Sequence, residues 1–155
     1  MARAYETNPQ PPIATVAELA YTAGIIDGEG TVALTPWKRS FLPFVQVTNT
    51  DRRVIEWLKE RFGGTVYVHV RSVSTVHKPR FNLRWTGKRS TALLTALLPY
   101  LVLKREQAEL CLRYYSEGRN FHVGNNPLPQ FEHERRRALH AALKQLNKRG
   151  LATTN

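Results

Sequence analysis

The sequence predicts an α+β fold in which helices cover one face of a four-stranded antiparallel sheet, and three observations predict it. Two pairs of short segments alternate apolar and polar residues with period two, the pattern of strands that bury one face. A segment whose apolar residues recur every three to four positions precedes each pair, as in a helix packed by one side. Cap and breaker residues sit at the joints, with Thr15 and Glu18 in a capping-box spacing and Gly63-Gly64 as a stop.

The elements follow in order. Residues 1–14 are polar and proline-bearing and read as a flexible N-terminal arm. A helix runs from Thr15 to about Asp27, with Ala20, Ala23, Gly24 and Asp27 on one small-residue face that another backbone can approach closely. Gly28 and Gly30 then break it. A hairpin follows: TVALT, a turn near Trp37–Pro43, and FVQVT. Thr50 or Asp51 caps a second helix with the stripe Val54, Ile55, Leu58 and Phe62. In the second hairpin Val66, Val68 and Val70 oppose Tyr67, His69 and Arg71, and a loop around Ser74–Pro79 leads to the return strand. There Phe81, Leu83 and Trp85 oppose Arg80, Asn82 and Arg84; a shift of parity by one would turn the aromatic set outward instead. Helices are expected at Ser90–Leu98, Arg105–Glu117 and, after the loop HVGNNPLP, Gln130–Lys148, the last with the stripe Phe131, Ala138, Leu139, Ala142, Leu143 and Leu146.

A chain of 155 residues with 42% hydrophobic and 23% charged residues is one ordinary globular domain. Its charge is not ordinary: +11, with a pI near 10.3. Residues 1–30 hold one base and four acids, which leaves 22 bases and 8 acids, a net +14, for the remainder. No acid occurs between Glu60 and Glu106. Nucleic acid is the partner such a surface suits; the basic segments read as strands, which argues against a membrane-bound amphipathic helix. The single cysteine, Cys111, lies between leucines and excludes an internal disulfide and any Cys-rich zinc site. The start MARAYETNPQPP lacks an apolar signal core, and no apolar run is long enough to span a membrane. An intracellular protein is expected, of a bacterial or phage cytoplasm or an organelle matrix, and not a secreted one.

The stretch TAGIIDGEG, residues 22–30, raises an electrostatic problem. Asp27 and Glu29 stand at the carbonyl end of the first helix, where the helix dipole disfavours anions, and no base lies between Arg3 and Lys38. A solvated loop is the ordinary explanation of such a pair. A hard divalent cation, taken by carboxylate and backbone carbonyl oxygens, would remove the misfit and would suit a phosphate nearby.

The same nine residues resemble the signature of the LAGLIDADG homing endonucleases: Ala23, Gly24, Ile26, Asp27 and Gly30 are identical to it, and Thr22, Ile25, Gly28 and Glu29 are substitutions. The order of helix, hairpin, helix, hairpin and helices is similar to the family's αββαββα core, and LLPYLVLKREQA, residues 97–108, looks like a stretch of its single-motif members. The resemblance covers most of residues 15–120; residues 121–155 read as a loop and a C-terminal helix packed on that core. It implies a saddle-shaped four-stranded sheet on helices. With one signature and no second copy, it implies a homodimer paired through Ala20, Ala23, Gly24 and Asp27, acting on a long, near-palindromic double-stranded DNA target.

The resemblance also implies roles. Glu29 would be the direct metal ligand with the Gly28 carbonyl beside it, and Asp27 would support the helix end. Asn49 stands where a water-positioning amide is expected, and equally reads as the residue that opens the turn before the second helix. Arg52 would line the pocket, with Arg53 the alternative because the register is one residue short. Lys104 would stabilise charge growing on the phosphate. The metal would be Mg²⁺ or another divalent ion such as Mn²⁺, with Ca²⁺ binding without cleavage. The reaction would be metal-assisted phosphodiester hydrolysis leaving a staggered double-strand break.

For recognition, the polar side of the first hairpin offers Thr35, Trp37, Lys38, Arg39 and Gln46. The second offers Tyr67, His69, Arg71, Arg80, Asn82 and Arg84. A strand pair fits the major groove, where Arg reads guanine and Asn or Gln reads adenine, although any one of these side chains can equally touch phosphate. The competing functions are an RNA maturase aiding an intron RNA, or a non-cleaving DNA-binding regulator on the same fold. A general basic RNA-binding protein would explain the charge but not an acidic helix end. His133 and His140 are too far apart on a solvated helix to make a metal pair.

Overall fold

A computed structural model of the chain describes residues 14–38, 40–69, 79–118 and 127–148. The expected arm 1–14, Arg39, Val70, Arg71, most of the Ser74–Pro79 loop and His122 therefore lie outside the described residues, except for positions 14 and 79. The order of elements is α1 (Val16–Glu29), β1 (Gly30–Trp37), β2 (Ser40–Asn49), α2 (Arg52–Phe62), β3 (Thr65–His69), β4 (Arg80–Thr86), α3 (Lys88–Leu97), α4 (Arg105–Gly118) and α5 (Gln130–Leu146).

The strands form one antiparallel sheet in the order β1-β2-β4-β3. Its register fixes the two faces. Val32 stands opposite Val45 and Val45 opposite Trp85, while Val47 pairs with Leu83 and Leu83 with Val66. These residues make the apolar face, which the helices cover with Ile26, Ile55, Leu58, Leu94 and Leu97, all buried. On the other face Thr48 pairs with Asn82 and Asn82 with Tyr67, and Gln46 pairs with Arg84. Phe81, Leu83 and Trp85 thus face the core, the parity that leaves Arg80, Asn82 and Arg84 outside.

Local chemistry sets the joints. Thr15 and Glu18 complete the capping box of α1. Asp51, not Thr50, caps α2, its side chain accepting the Arg53 N–H. The helix stops where Gly63 and Gly64 take φ of 69° and 97°, a region that side chains with a Cβ disfavour. Gly28 does not break α1 as expected: the helix runs on to Glu29, and Gly30 caps it. A Cβ at Gly30 would lie 2.6 Å from the Ile26 carbonyl oxygen, so the tight exit demands glycine there.

The first turn is shorter than the expected Trp37–Pro43, because β2 already starts at Ser40. Pro43 is tolerated inside that strand because it sits one residue before the β2–β4 ladder, which begins at Phe44. Its carbonyl is fully used, accepting the Gly87 N–H at 2.8 Å and the Ser90 hydroxyl at 2.9 Å, which ties α3 to the sheet. Cys111 is buried as expected, and burial pushes its thiol up to about 12.

α5 departs from its expected stripe. Phe131, Ala138, Ala142 and Leu146 are exposed, and the buried face is Glu132, Arg136, Leu139 and Leu143. Glu132 accepts from Arg135 at 2.7 Å and from Arg136 at 2.6 Å, so a buried ion cluster occupies what hydrophobicity alone assigns to a leucine or alanine. Arg136 also donates to the Ser40 hydroxyl, and Ser40 meets the Tyr114 hydroxyl at 2.9 Å. Tyr114 in turn donates to the Phe41 carbonyl at 2.7 Å. The cluster joins α4 and α5 to the start of β2.

Hydrogen bonds from Arg135, with Arg136 beside it, hold the Glu132 carboxyl below its ordinary range. Its stabilising contribution is therefore present at neutral pH and is lost as pH falls through the lowered folded value. Glu132→Ala, which strands the buried Arg136, should cost about 3–5 kcal/mol in chemical denaturation at neutral pH. Glu132→Gln should melt earlier than wild type at neutral pH and show a shallower loss of stability on acidification.

Candidate functional site

The end of α1 and the segment before α4 meet through Asp27. Its Oδ2 accepts the Val102 N–H at 2.8 Å and its Oδ1 accepts the Lys104 N–H at 2.9 Å. Lys104 returns the contact, its ammonium donating to the Asp27 carbonyl oxygen at 2.6 Å. The misfit posed by an acidic helix end is thus answered in part within the protein. A lysine from another element supplies the cation that the last turn of α1 lacks, and the Asp27 carboxylate has donors of its own. Asp27 is half-buried and serves as a clamp.

Glu29, two residues on, is exposed and makes no hydrogen bond or ion pair to the described residues. Of the last carbonyls of α1, that of Ile26 accepts the Gly30 N–H and that of Asp27 accepts Lys104. Gly28 is exposed, with nothing within 4 Å of where a Cβ would stand. No group of three or more His, Cys, Asp or Glu side chains that could hold a metal exists among the described residues. The end of α1 therefore offers one exposed carboxylate, Glu29, without a partner among the described residues. That donor set does not close a chelate, but it fits Mg²⁺, which keeps several waters and binds through one or two carboxylates plus phosphate.

The other expected site residues fall close by in sequence but are engaged locally. Asn49 ends β2, and its Oδ1 accepts the Asp51 N–H at 2.8 Å, the geometry of a residue opening a turn. Arg52 pairs with Glu56 at 2.6 Å, one turn along α2. Arg53 pairs with Asp51 at 2.6 Å, and its guanidinium holds the Asp51 carboxyl down to about 2.

The predicted pairing face of α1 is divided. Ala20 and Gly24 are exposed, but Ala23 is fully buried in the protomer's own core and cannot face a partner. The exposed small side of the helix is instead Ala17, Ala20, Gly24 and Gly28. Tyr21, 56% exposed, stands on the same helix, and Val102 and Leu103, 78% and 72% exposed, lie in the segment that Asp27 holds. The cause of the split is angular. Ala23 and Ala20 differ by three positions, close to a full turn but lagging it by about 60°, enough to carry Ala23 into the core.

The polar sheet face collects the described residues expected to recognise nucleic acid. Thr35, Trp37, Gln46, Tyr67, His69, Arg80, Asn82 and Arg84 share it, with Lys38 in the turn at φ 51°. The face also carries residues that were not expected on it, Phe44 and Thr48 among them, although both share the parity of Gln46 and period two marks them. Arg84 donates to Gln46 Oε1 from Nε at 2.9 Å and from Nη2 at 2.6 Å. Its guanidinium carbon lies 5.0 Å from the Phe44 ring centroid and 5.9 Å from that of Tyr67. Thr48 donates to Asn82 Oδ1 at 2.7 Å.

A scan of protein-family models finds no match, and no curated protein matches by sequence. Solved structures do match. The chain superposes on the homing endonuclease I-CvuI, in complex with its target in the presence of calcium, with a TM-score of 0.65 and 21% identity over 90% of this chain and 87% of that one. An archaeal intron-encoded homing endonuclease, I-Vdi141I, complexed with DNA, gives a TM-score of 0.65 and 17% identity over 90% and 89%. The LAGLIDADG meganuclease I-AabMI, bound to uncleaved DNA, gives 0.60 and 23% over 80% of this chain but 44% of that one. The chain has the LAGLIDADG endonuclease fold, and the resemblance of TAGIIDGEG to the signature is matched by the architecture around it.

The two acids of the signature should therefore separate by their effect on stability. Asp27→Ala removes the acceptor of two backbone N–H groups and should lower unfolding free energy by about 1–3 kcal/mol. Glu29→Ala should leave it within about 0.5 kcal/mol of wild type, as expected of a surface substitution at a residue without partners among the described residues. Denaturant titration of the two variants checks both values.

Proposed function

We propose that two copies of this chain form a site-specific DNA endonuclease that makes a divalent-metal-dependent, staggered double-strand break in a long, near-palindromic target. The observation that carries this reading is the contrast between the two acids: Asp27 is committed to the Val102 and Lys104 amides, while Glu29 is left exposed at the helix end. A protein that only binds nucleic acid gains nothing from an uncommitted carboxylate on a chain of charge +11. The fold supports the reading, since structures that share it are homing endonucleases on DNA.

Two copies are needed because one protomer supplies one such acid. The chain spans most of I-CvuI but less than half of I-AabMI, as expected of a unit used twice. The exposed side of α1, with Ala20 and Gly24, is the face through which a second copy would bring its own Glu29 alongside.

Within each site Glu29, with the Gly28 carbonyl, would hold the metal, for which Mg²⁺ or Mn²⁺ fits the oxygen donors and Ca²⁺ would bind without cleavage. When bound, the ion supplies Lewis-acid stabilisation of the phosphate and a more acidic water. Lys104, placed by its bond to the Asp27 carbonyl, keeps positive charge at the helix end where charge grows on the phosphate. Asn49 would turn its amide nitrogen to a water while its oxygen stays on the Asp51 N–H, and Arg52 would reach a phosphate from the start of α2.

The decisive experiment incubates the protein with a randomised double-stranded DNA library and Mg²⁺ and sequences the ends. Sequence-specific breaks are expected from wild type, and Glu29→Gln should retain binding and lose cleavage by at least about a hundredfold. Binding without breaks by wild type favours the regulator or maturase alternative, and persistent cleavage by Glu29→Gln removes that residue from the metal. The pairing is tested by Gly24→Leu. Nothing lies within 4 Å of the site of its Cβ, so the protomer should fold. It should sediment as a monomer at concentrations where wild type is a dimer, and a monomeric wild type refutes the pairing.

A further inference from the structure

Resting on the DNA-target reading above, we infer that Arg84 reads a guanine in each half-site and that Gln46, one strand away, reads no base but holds Arg84 in place. Gln46 carries one amide oxygen with two lone pairs, and both are filled, by Arg84 Nε at 2.9 Å and Nη2 at 2.6 Å. Chemistry fixes which way the amide points: an arginine only donates, so the oxygen must face it. The amide nitrogen then faces Thr48, whose hydroxyl oxygen it approaches at 3.4 Å.

That assignment excludes the role ordinarily given to glutamine in a major groove. Bidentate reading of adenine needs the amide oxygen to accept from N6 and the nitrogen to donate to N7. Gln46 has no acceptor left for N6. Arg84, by contrast, spends only one edge of its fork on Gln46. The outer edge, formed by both Nη groups, keeps a parallel pair of donors, the match for O6 and N7 of guanine.

The rest of the surroundings restrict the fork to that use. Phe44 from β2 and Tyr67 from β3, the two strands that flank β4, have ring centroids 5.0 Å and 5.9 Å from the guanidinium carbon, and Arg84 itself is half-buried. A side chain packed near two rings and bonded along one edge loses little rotamer freedom on binding, so its preference is expressed as discrimination rather than offset by ordering. The hydrogen bonds also run in one direction: Arg84 donates to Gln46, Gln46 to Thr48, and Thr48 to Asn82 Oδ1 at 2.7 Å. The outward groups along this line are therefore mostly donors, suited to acceptor-rich base edges.

The test is a binding selection from a randomised double-stranded DNA library in Ca²⁺, repeated with Arg84→Ala, Gln46→Ala and Gln46→Glu. Wild type should enrich a site with a guanine at one position of each half. Arg84→Ala should lose roughly tenfold to a hundredfold of the discrimination at that position and leave the others unchanged. Gln46→Ala should weaken the same guanine preference and no other, and Gln46→Glu, which keeps an acceptor for the fork, should preserve it. Loss of an adenine preference at a separate position in Gln46→Ala overturns the assignment, as does an unchanged profile in Arg84→Ala. A library from which wild type enriches no sequence overturns the site-specific reading itself and this assignment with it.

Discussion

The reciprocal contact between Asp27 and the segment before α4 is the constraint on which the acidic end of α1 depends. A carboxylate at a helix C-terminus is opposed by the helix dipole and needs compensation. Two backbone amides, of Val102 and Lys104, supply it to the carboxylate, and the Lys104 ammonium supplies it to the helix carbonyls. The same three bonds fix where α4 begins relative to α1. They also orient Val102 and Leu103 outward, on the same segment, and leave Glu29 beyond the clamp, exposed and without a partner among the described residues. One acid is spent on geometry so that the other can be left open.

The sheet obeys a second constraint, the strict alternation of its side chains. With the apolar set of β2 and β4 buried at 0–1% exposure for Val45, Val47, Leu83 and Trp85, a slip of one residue in either strand would bury Arg84 and expose Trp85. The core therefore guarantees that the polar set faces out together. Cross-strand hydrogen bonds then convert a row of exposed side chains into a partly fixed surface, in which Gln46 and Arg84 act as one unit.

How much of this was legible in the sequence depends on the range of the interactions involved. Helix starts, the stop at Gly63-Gly64 and the parity of strands are local, and the chain declares them through capping residues and period two. Ala23 fell on the wrong side because positions three apart on a helix differ by a large angle, and small residues alone do not say which edge of the stripe is covered. The partners of Asp27 are 75 and 77 positions away, and no local pattern announces a backbone amide as a ligand. The resemblance to a known signature implies a supporting role for Asp27; what the structure adds is that its carboxylate accepts the Val102 and Lys104 N–H groups. In α5 the reading failed for a different reason. A hydrophobic scale assigns Glu132 and Arg136 to the surface, and only their mutual pairing makes burial tolerable.

That buried cluster bears on function through its position. Arg136 and Tyr114 converge on Ser40 and Phe41, the first residues of β2, and the Asn147 side-chain amide donates to the Val32 carbonyl of β1 at 2.9 Å. His140 stacks on Phe41 with ring centroids 4.3 Å apart. The first hairpin is thus held at its turn end by α4 and α5. Its other end, at Gly30 and Asn49, leads from the exit of α1 and into α2. A hairpin fixed at both ends cannot pivot freely on the helices beneath it. Thr35 and Trp37, near its tip, then keep a set distance from Glu29 at its base. On the proposed reading, a nuclease that must place one carboxylate at one phosphate of a long site needs that rigidity. In the proposed two-fold dimer it would apply to both halves at once, and that would give the C-terminal helix a part in where the cut falls without any contact to the reacting atoms.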